Sequence, residues 1–122
     1  MDLRDLTATQ RSFDEKHGWT PQPGDPQGLF RFLQEDTIGL TGEVGEIANI
    51  VKRVALDSRR GSVPLPELLH AALSELTEEV IDCLIYLVRL SSYLDIDLSS
   101  AYLSKLKRNE ERFKCYENKQ SE

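Results

Sequence analysis

Two long segments of the chain place apolar residues three or four positions apart, and this spacing is what most constrains the fold. Residues at these steps share one face of an α-helix. The shared faces carry Leu40, Glu43, Ile47, Ile50 and Val54 in the first segment and Leu76, Glu79, Cys83, Leu87 and Leu90 in the second. Nowhere does the sequence show the apolar–polar alternation of a half-buried β-strand. The chain is therefore predicted to be all-α.

Four helices are predicted in the 122 residues. The first covers about 3–17, and the second covers about 29–56 with a candidate break near Asp36. The third follows Pro64 and reaches about Leu94, and the fourth covers about 98–114 with Asp97 as its N-cap. Loops are predicted at 18–28, which holds three prolines and three glycines, and at 57–64. The tail 117–122 is expected to fray. A chain of this length fits one domain, 1–122, folded as a small helical bundle.

Composition and charge exclude several classes of protein. The net charge of −6 argues against a nucleic-acid polymer as partner, because such binding needs a basic surface. No charge-free apolar run approaches ~18 residues, so no membrane span is expected. The first ten residues lack the apolar core of a signal peptide, and a cytoplasmic protein is the simplest expectation. Cys83 and Cys115 fit neither a zinc spacing nor a disulfide framework, and Cys83 is expected to serve packing.

Each long segment carries two acids three residues apart near its apolar face: Glu43 and Glu46, then Glu79 and Asp82. The ordinary interpretation of such pairs is a solvated face with cations nearby. However, no Lys or Arg lies three or four residues from any of the four, so helical ion pairs cannot form. A buried carboxylate needs a proton, hydrogen bonds or a metal to offset its lost hydration. An oxygen-only ligand set predicts Mg²⁺, with Mn²⁺ as a substitute.

Two glycines, Gly42 and Gly45, flank the first acids inside the same helix. Each costs about 1 kcal/mol relative to alanine in a helix interior. Close helix–helix packing would explain them, and so would close access of a ligand; the sequence leaves both open. A di-iron bundle needs two Glu-x-x-His pairs, and it is disfavoured because the chain has only one, Glu67 and His70. No EF-hand loop occurs. Magnesium held by carboxylates suits phosphate chemistry.

Three stretches together resemble a known family. They are GEVGEIANIVKR, EEVIDCLIYLVRLSSYLDIDL and KLKRNEERF, and they are similar to the all-α nucleoside triphosphate pyrophosphohydrolases, the MazG-like proteins and dCTP pyrophosphatases. The resemblance extends from about Leu6 to Phe113. The family's E-x-x-E and E-x-x-D pairs match Glu43, Glu46, Glu79 and Asp82. Many MazG proteins carry a further glutamate where this chain has Gly42, and the segment between the acid pairs is longer here.

The resemblance implies a fold, an assembly and a reaction. The fold is a four-helix MazG-like bundle assembled as a homodimer or a dimer of dimers. The reaction is Mg²⁺-dependent hydrolysis of an NTP or dNTP to the monophosphate and pyrophosphate, as house-cleaning of nucleotides. Glu43 or Glu46 would orient the attacking water, and the sequence does not decide between them. Independently, Ile81, Ile85 and Val88 form a second apolar stripe on the third helix. A helix that is apolar on two sides needs two partners, which points to an interface.

Six further residues are candidates for substrate binding by the same resemblance. Lys105, Asn109 and Arg112 share one face of the last helix and would contact the phosphates, although ordinary surface positions are the alternative. Lys52 matches a basic position after the first acid pair but points away from the apolar stripe. Tyr86 and Trp19 would lie beside the nucleotide or would serve packing.

Two other functions remain open on sequence grounds. A related pyrophosphatase could act on another substrate, such as phosphoribosyl-ATP or a nucleotide sugar. A non-enzymatic helical interaction module is the second alternative, but such a module has no reason to keep four acids without cations.

Overall fold

The computed structural model describes residues 1–117, which form four α-helices and a short 3₁₀ turn. These are α1 (Leu3–Lys16), α2 (Pro26–Arg60), α3 (Leu65–Tyr93), α4 (Leu98–Arg112) and the 3₁₀ turn Lys114–Tyr116. These residues contain no strand, so the all-α prediction is confirmed for them. Within the same range, no helix combines the length and apolar character that crossing a bilayer requires. Except for Glu117, the tail expected to fray lies outside the described residues.

Side-chain caps define the starts of the first and last helices. At α1, the carboxylate of Asp2 accepts the backbone N–H of Asp5 at 2.9 Å, and Asp5 accepts the N–H of Asp2 at 3.1 Å. This reciprocal pair satisfies two N–H groups that a helix start leaves without partners. At α4, the predicted N-cap is confirmed, because Asp97 accepts the N–H of Ser100 at 3.1 Å. That backbone hydrogen bond is the main reason why the pKa of Asp97 lies below its ordinary value.

The second helix extends beyond its predicted bounds at both ends. It begins at Pro26, where the missing N–H of proline costs nothing, and Asp25 caps it by accepting the N–H of Gly28 at 2.9 Å. It continues to Arg60 and ends at Gly61, whose φ of 73° is the left-handed conformation that glycine adopts without strain. Both predicted loops, 18–28 and 57–64, were therefore too long.

The candidate break near Asp36 is wrong, because α2 is continuous through this position. Asp36 is buried, and its carboxylate accepts a hydrogen bond from the hydroxyl of Tyr93 on α3 at 2.6 Å. Since the partner lies across the helix pair, the side chain does not compete for the backbone of its own helix.

The core lies between α2 and α3, which form a helical hairpin. Ile50 and Val54 of α2 pack with Ala72 of α3, and Leu68 and Leu76 cover this cluster. The predicted apolar faces are therefore largely confirmed, although Leu87 is exposed. Burial of these side chains is the main force that pairs the two helices.

The second stripe of α3 faces α1. Val88 is almost completely buried, and Ile85 lines a small cavity together with Leu6 and Gln10 of α1. Ile81, at the other end of the stripe, keeps 47% of its surface exposed. The first helix thus covers much of this second apolar stripe. The fourth helix packs against α1 and has no buried residue.

Candidate metal centre

Three carboxylates meet where the apolar faces of α2 and α3 come together. Glu43 projects from α2, Glu79 and Asp82 project from α3, and one oxygen of each lies within 4.8 Å of the others. All three residues are half-buried. They converge because each occupies the face by which its helix packs on the other. We call Glu43, Glu79 and Asp82 the acidic cluster.

The cluster perturbs the acid–base behaviour of its members. The pKa of Glu79 is raised from 4.5 to about 7, first by a hydrogen bond with Glu43, then by partial burial and by the charges of Glu43, Asp82 and Glu46. Near neutral pH, Glu79 therefore tends to hold a proton that it shares with Glu43. Partial burial, followed by the charges of Glu43, Glu79 and Asp82, also raises the pKa of the neighbouring Cys83 thiol. The local field thus resists more negative charge and favours a cation.

Residues 1–117 supply no cation to these acids. None of the ion pairs found in residues 1–117 includes Glu43, Glu46, Glu79 or Asp82. Elsewhere the same two helices do form one, between Arg53 and Glu75 at 2.9 Å. An oxygen-only donor set of this kind fits Mg²⁺ or Mn²⁺.

The fourth predicted ligand, Glu46, lies outside the group of three. It is exposed on α2, one turn beyond Glu43. Its charge nevertheless contributes to the raised pKa of Glu79. The structure therefore brings three of the predicted acids together and leaves Glu46 at the edge of the cluster.

The two glycines beside these acids have open space around them. A Cβ atom added at Gly42 or Gly45 would meet nothing within 4 Å. Close packing of helices within the protomer is therefore not their explanation, and close access of a ligand stays a prediction.

Gly39, one turn earlier on α2, makes the close contact that sequence reasoning missed. A Cβ atom there would approach the ring of Tyr86 to between 2.5 and 2.7 Å. Tyr86 is half-buried between the two helices, one turn beyond Asp82. The tyrosine ring therefore packs on the backbone of α2 beside the acidic cluster.

Trp19 follows the end of α1 and belongs to a small aromatic group. Its ring stacks on His17 with centroids 4.8 Å apart, and the ring of Phe13 lies 6.1 Å away. The Nδ1 atom of His17 lies 2.7 Å from the carbonyl oxygen of Phe13, as expected for packing at a helix end. Trp19 keeps 46% of its surface exposed, so one side of the ring is available. We call Phe13, His17 and Trp19 the aromatic group.

The remaining predicted substrate residues do not meet the acidic cluster in the protomer. Lys52 is exposed on α2, Lys105 and Arg112 are exposed on α4, and Asn109 is half-buried there. The guanidinium of Arg112 lies over the ring of Phe113, 4.6 Å from its centroid. In residues 1–117, no hydrogen bond or ion pair joins Lys105, Asn109 or Arg112 to the cluster, and α4 packs on α1.

A second group of charged residues, not predicted from the sequence, is buried nearby. It contains Asp14 of α1, Asp36 of α2, and Arg89 and Tyr93 of α3, and we call it the buried charge network. Arg89 forms ion pairs with both aspartates. The sequence did contain a signal, since Arg89 is a single cation inside the apolar run LIYLVRL. A cation in such a run needs a carboxylate from another element.

An open cavity of about 550 Å³ lies away from the acidic cluster, between the segment 20–26 and the end of α3. Of its charged lining residues, Arg11 pairs with Glu15 at 3.0 Å and Asp25 caps α2, while Asp95 is a single exposed carboxylate. Among the described residues, the cavity therefore lacks the converging carboxylates that distinguish the acidic cluster.

Sequence relatives agree with the resemblance seen in the acid pairs. No protein-family model matches the chain. Over 111 residues it is 32% identical to dCTP pyrophosphatase 1 of Mus musculus and 32% identical to dCTP pyrophosphatase 1 of Rattus norvegicus. Each match covers 91% of this chain but 58% of the relative, so the chain spans less than two thirds of the length of either protein. The predicted resemblance is thereby confirmed.

Proposed function

We propose, because the chain is a relative of the dCTP pyrophosphatases, that it is a metal-dependent nucleotide pyrophosphohydrolase. It would convert a nucleoside or deoxynucleoside triphosphate to the monophosphate and pyrophosphate, and residues 1–122 would form one catalytic domain of this type. House-cleaning of unwanted nucleotides is the role that fits such a reaction. The acidic cluster is the single observation that carries the proposal.

The donor set of the cluster suits a hard divalent cation. Glu43, Glu79 and Asp82 offer converging oxygens, and Glu46, whose charge acts on Glu79, is the proposed fourth ligand. Mg²⁺, or Mn²⁺ in its place, would neutralise phosphate oxygens and lower the pKa of water. A bound cation would also displace the proton that Glu79 and Glu43 share. Glu43 and Glu46 are the candidates for orienting the attacking water and accepting its proton at a carboxylate oxygen.

The other proposed roles follow the chemistry of each side chain. Trp19 and Tyr86 each offer an aromatic face to the base. Lys52 would add positive charge near the phosphates, as would Lys105 and Arg112 on α4. The side-chain amide of Asn109 would donate hydrogen bonds to phosphate oxygens. Arg112 can hold a phosphate through two hydrogen bonds at once.

The protomer exposes far more surface than a folded monomer of its size. Its accessible surface is 9681 Å², whereas a monomer of this mass exposes about 6,700 Å². Large apolar side chains contribute to this surface along both core helices, including Ile38, Val44, Val51, Leu73 and Val80. An excess of about 3,000 Å² exceeds the roughly 1,000–2,500 Å² that each subunit contributes to one obligate interface, so it suffices for at least one such interface. We therefore propose that a second copy of the chain covers this surface, in a homodimer or a homotetramer.

Light scattering coupled to size-exclusion chromatography tests the assembly. A monomeric mass at micromolar concentration would contradict it. If the protein is oligomeric, mixing inactive Arg112→Ala and Glu79→Gln subunits asks whether α4 serves a neighbouring copy. Recovered activity in the mixture would mean that one site uses residues of two subunits.

Release of pyrophosphate from single nucleotides in the presence of Mg²⁺ tests the function. Glu79→Gln and Asp82→Asn should each abolish turnover while helical circular dichroism is preserved. Glu78→Gln is the matched control, because Glu78 is the exposed neighbour of Glu79 on the same helix. Activity that survives both cluster substitutions would contradict the metal assignment. A screen of canonical-base and damaged dNTPs, with phosphoribosyl-ATP and a nucleotide sugar, then identifies the substrate.

A further inference from the structure

The buried charge network joins three helices through one guanidinium group. The Nε atom of Arg89 lies 3.5 Å from an Asp14 oxygen on α1 and 3.4 Å from an Asp36 oxygen on α2. Tyr93 accepts a hydrogen bond from the same nitrogen at 3.2 Å and donates one to Asp36 at 2.6 Å. Gln10 donates to the second oxygen of Asp14 at 3.0 Å. Across the described residues, every buried side-chain nitrogen or oxygen has a partner.

Stability alone is a poor reason for this arrangement. A buried ion pair holds helices together no better than apolar side chains of similar volume, because its desolvation offsets its attraction. Here two carboxylates share one cation, and burial raises the pKa of Asp14 despite the opposing effects of Gln10 and Arg89. Directional hydrogen bonds, however, are all satisfied in one arrangement of the helices. The network therefore fixes relative position more than it adds stability.

On one side, Asp14 connects the network to the aromatic group. Its side chain is held by Arg89 and Gln10, while its backbone carbonyl accepts the N–H of Trp19 at 2.9 Å and that of His17 at 3.1 Å. The place of Trp19 thus depends directly on where Asp14 is held.

On the other side, Arg89 connects the network to the acidic cluster. Its guanidinium carbon lies 5.7 Å from the centroid of the Tyr86 ring. That ring packs on Gly39, one turn before Glu43, and Tyr86 itself follows Asp82 by one turn. A short series of contacts therefore runs from Trp19 through the network to the acids.

We propose that Asp14, Asp36 and Arg89 are positioning residues that hold the aromatic group at a fixed place relative to Tyr86 and the acidic cluster. A nucleotide bound at the cluster through its phosphates would then find the aromatic faces already placed for its base. The nature of this ligand rests on the proposed function, whereas the fixed place of Trp19 does not.

The variant Asp14→Ala tests this inference. It cuts the link to α1 and leaves Arg89 in a neutral pair with Asp36, while Gln10 loses its acceptor. Trp19 is the sole tryptophan, and quenching of its fluorescence by acrylamide reports its shielding without any nucleotide. We expect the quenching constant to rise roughly twofold with helicity unchanged. In pyrophosphate-release assays under the conditions used for the wild type, the KM of Asp14→Ala should be about tenfold higher than that of the wild type. Its kcat should stay within about threefold of the wild-type value.

Two control variants separate positioning from general loosening. Arg4→Gln removes the exposed ion pair that joins α1 to the N-cap of α4, which Arg4 makes with Asp97 at 3.3 Å. It should change neither the quenching constant nor KM. Asp14→Asn keeps one oxygen that can accept from Gln10 but places an NH2 group where Arg89 needs an acceptor, so it should give values between those of the wild type and Asp14→Ala. If Asp14→Ala does not fold, Gln10→Ala takes its place and is read in the same way.

Unchanged quenching together with unchanged KM would overturn the inference. A fall in kcat without a rise in KM would also overturn it, since that pattern indicates damage to the chemistry rather than to base placement. If the wild-type protein releases no pyrophosphate, the proposed function fails, and the quenching measurement alone then decides whether the network positions Trp19.

Discussion

The acidic cluster and the buried charge network are two groups of carboxylates at the same helix pair, and they differ in how their charge is balanced. In the network, Asp14 and Asp36 both reach Arg89 and accept further hydrogen bonds. In the cluster, three carboxylates face one another, and the ion pairs of residues 1–117 include none of them. Within the part of the chain that the structure describes, the network has a counter-charge and the cluster has none.

The difference teaches how to recognise a site that expects an external cation. Arg89 stands only two turns beyond Asp82 on α3, so the helix clearly tolerates a cation in this region. Where carboxylates serve to position helices, the chain provides the counter-charge. Where it leaves them unbalanced and half-buried, a bound ion is the physical resolution that fits their oxygen-only chemistry.

Removing the cation of the network should have the largest effect on stability. Arg89→Leu leaves two buried carboxylates without their counter-charge, and we expect a loss of about 3–5 kcal/mol in the free energy of unfolding. Urea denaturation followed by circular dichroism measures it. The control Arg53→Leu breaks the exposed pair with Glu75 and should cost no more than about 1 kcal/mol. Equal costs would mean that the network is no different from a surface ion pair.

Adding a cation should matter only for the cluster. At a concentration of Mg²⁺ or Mn²⁺ a hundred times its Kd, we expect about 2.7 kcal/mol of stabilisation relative to chelator-treated protein. Differential scanning calorimetry detects this as a higher Tm. The effect should vanish in Asp82→Asn and persist in Asp36→Asn. If Asp36→Asn lost the metal-induced rise in Tm and Asp82→Asn kept it, the metal would bind at the buried charge network and not at the acidic cluster.

Substitutions of two α2 glycines, Gly39 and Gly42, test how α2 packs between the acidic cluster and the buried charge network. Gly39→Ala forces the Tyr86 ring away from α2 and should cost about 1–3 kcal/mol. Gly42→Ala meets open space and should stabilise the isolated protomer by up to about 1 kcal/mol. Thermal unfolding gives both values. If Gly42→Ala also lowers turnover, access of the ligand explains this glycine; full activity would remove that explanation.

The smallest expected effect is a pH dependence in the cluster. In chelator-treated protein, the pKa of Glu79 is raised from 4.5 to about 7, so the folded state keeps a proton that the unfolded state releases. The resulting stability is present below about pH 4.5 and is lost as the pH rises through about 7. Glu79→Gln cannot lose this proton. The Tm of Glu79→Gln minus the Tm of the wild type should therefore increase by several degrees from about pH 5 to about pH 8.

Glu78→Gln provides the control for that titration. Its Tm difference from the wild type should stay constant across the same range. A constant difference for Glu79→Gln as well would show that Glu79 does not hold the proton.

The helices and the cluster could be predicted because both follow from local periodicity. The 3.6-residue repeat places Glu43, Glu79 and Asp82 on the faces that pack, so their convergence needs only that α2 and α3 pair. The ends of α2 were harder, because prolines and glycines signal loops and caps alike. Pro26 starts a helix and Gly61 ends one, and the sequence alone favoured loops at both.

The network could not be predicted because its partners are far apart in sequence. Asp36 and Tyr93 are separated by 57 positions, and no helical spacing relates them. Without its partner, Asp36 resembles a helix breaker. The contact of Gly39 with Tyr86 could not be predicted for the same reason. The glycine lies on α2, whereas the ring that requires it lies on α3.

The four buried apolar side chains of the described residues all belong to α2 and α3, whereas α1 buries only Asp14 and α4 buries nothing. Because of this distribution, we expect the helices to unfold locally in a fixed sequence. Amide hydrogens should exchange with deuterium first along α4, then along α1, and last in the middle of the hairpin. The outer helices can thus detach in stages while the pair that carries the acids remains folded.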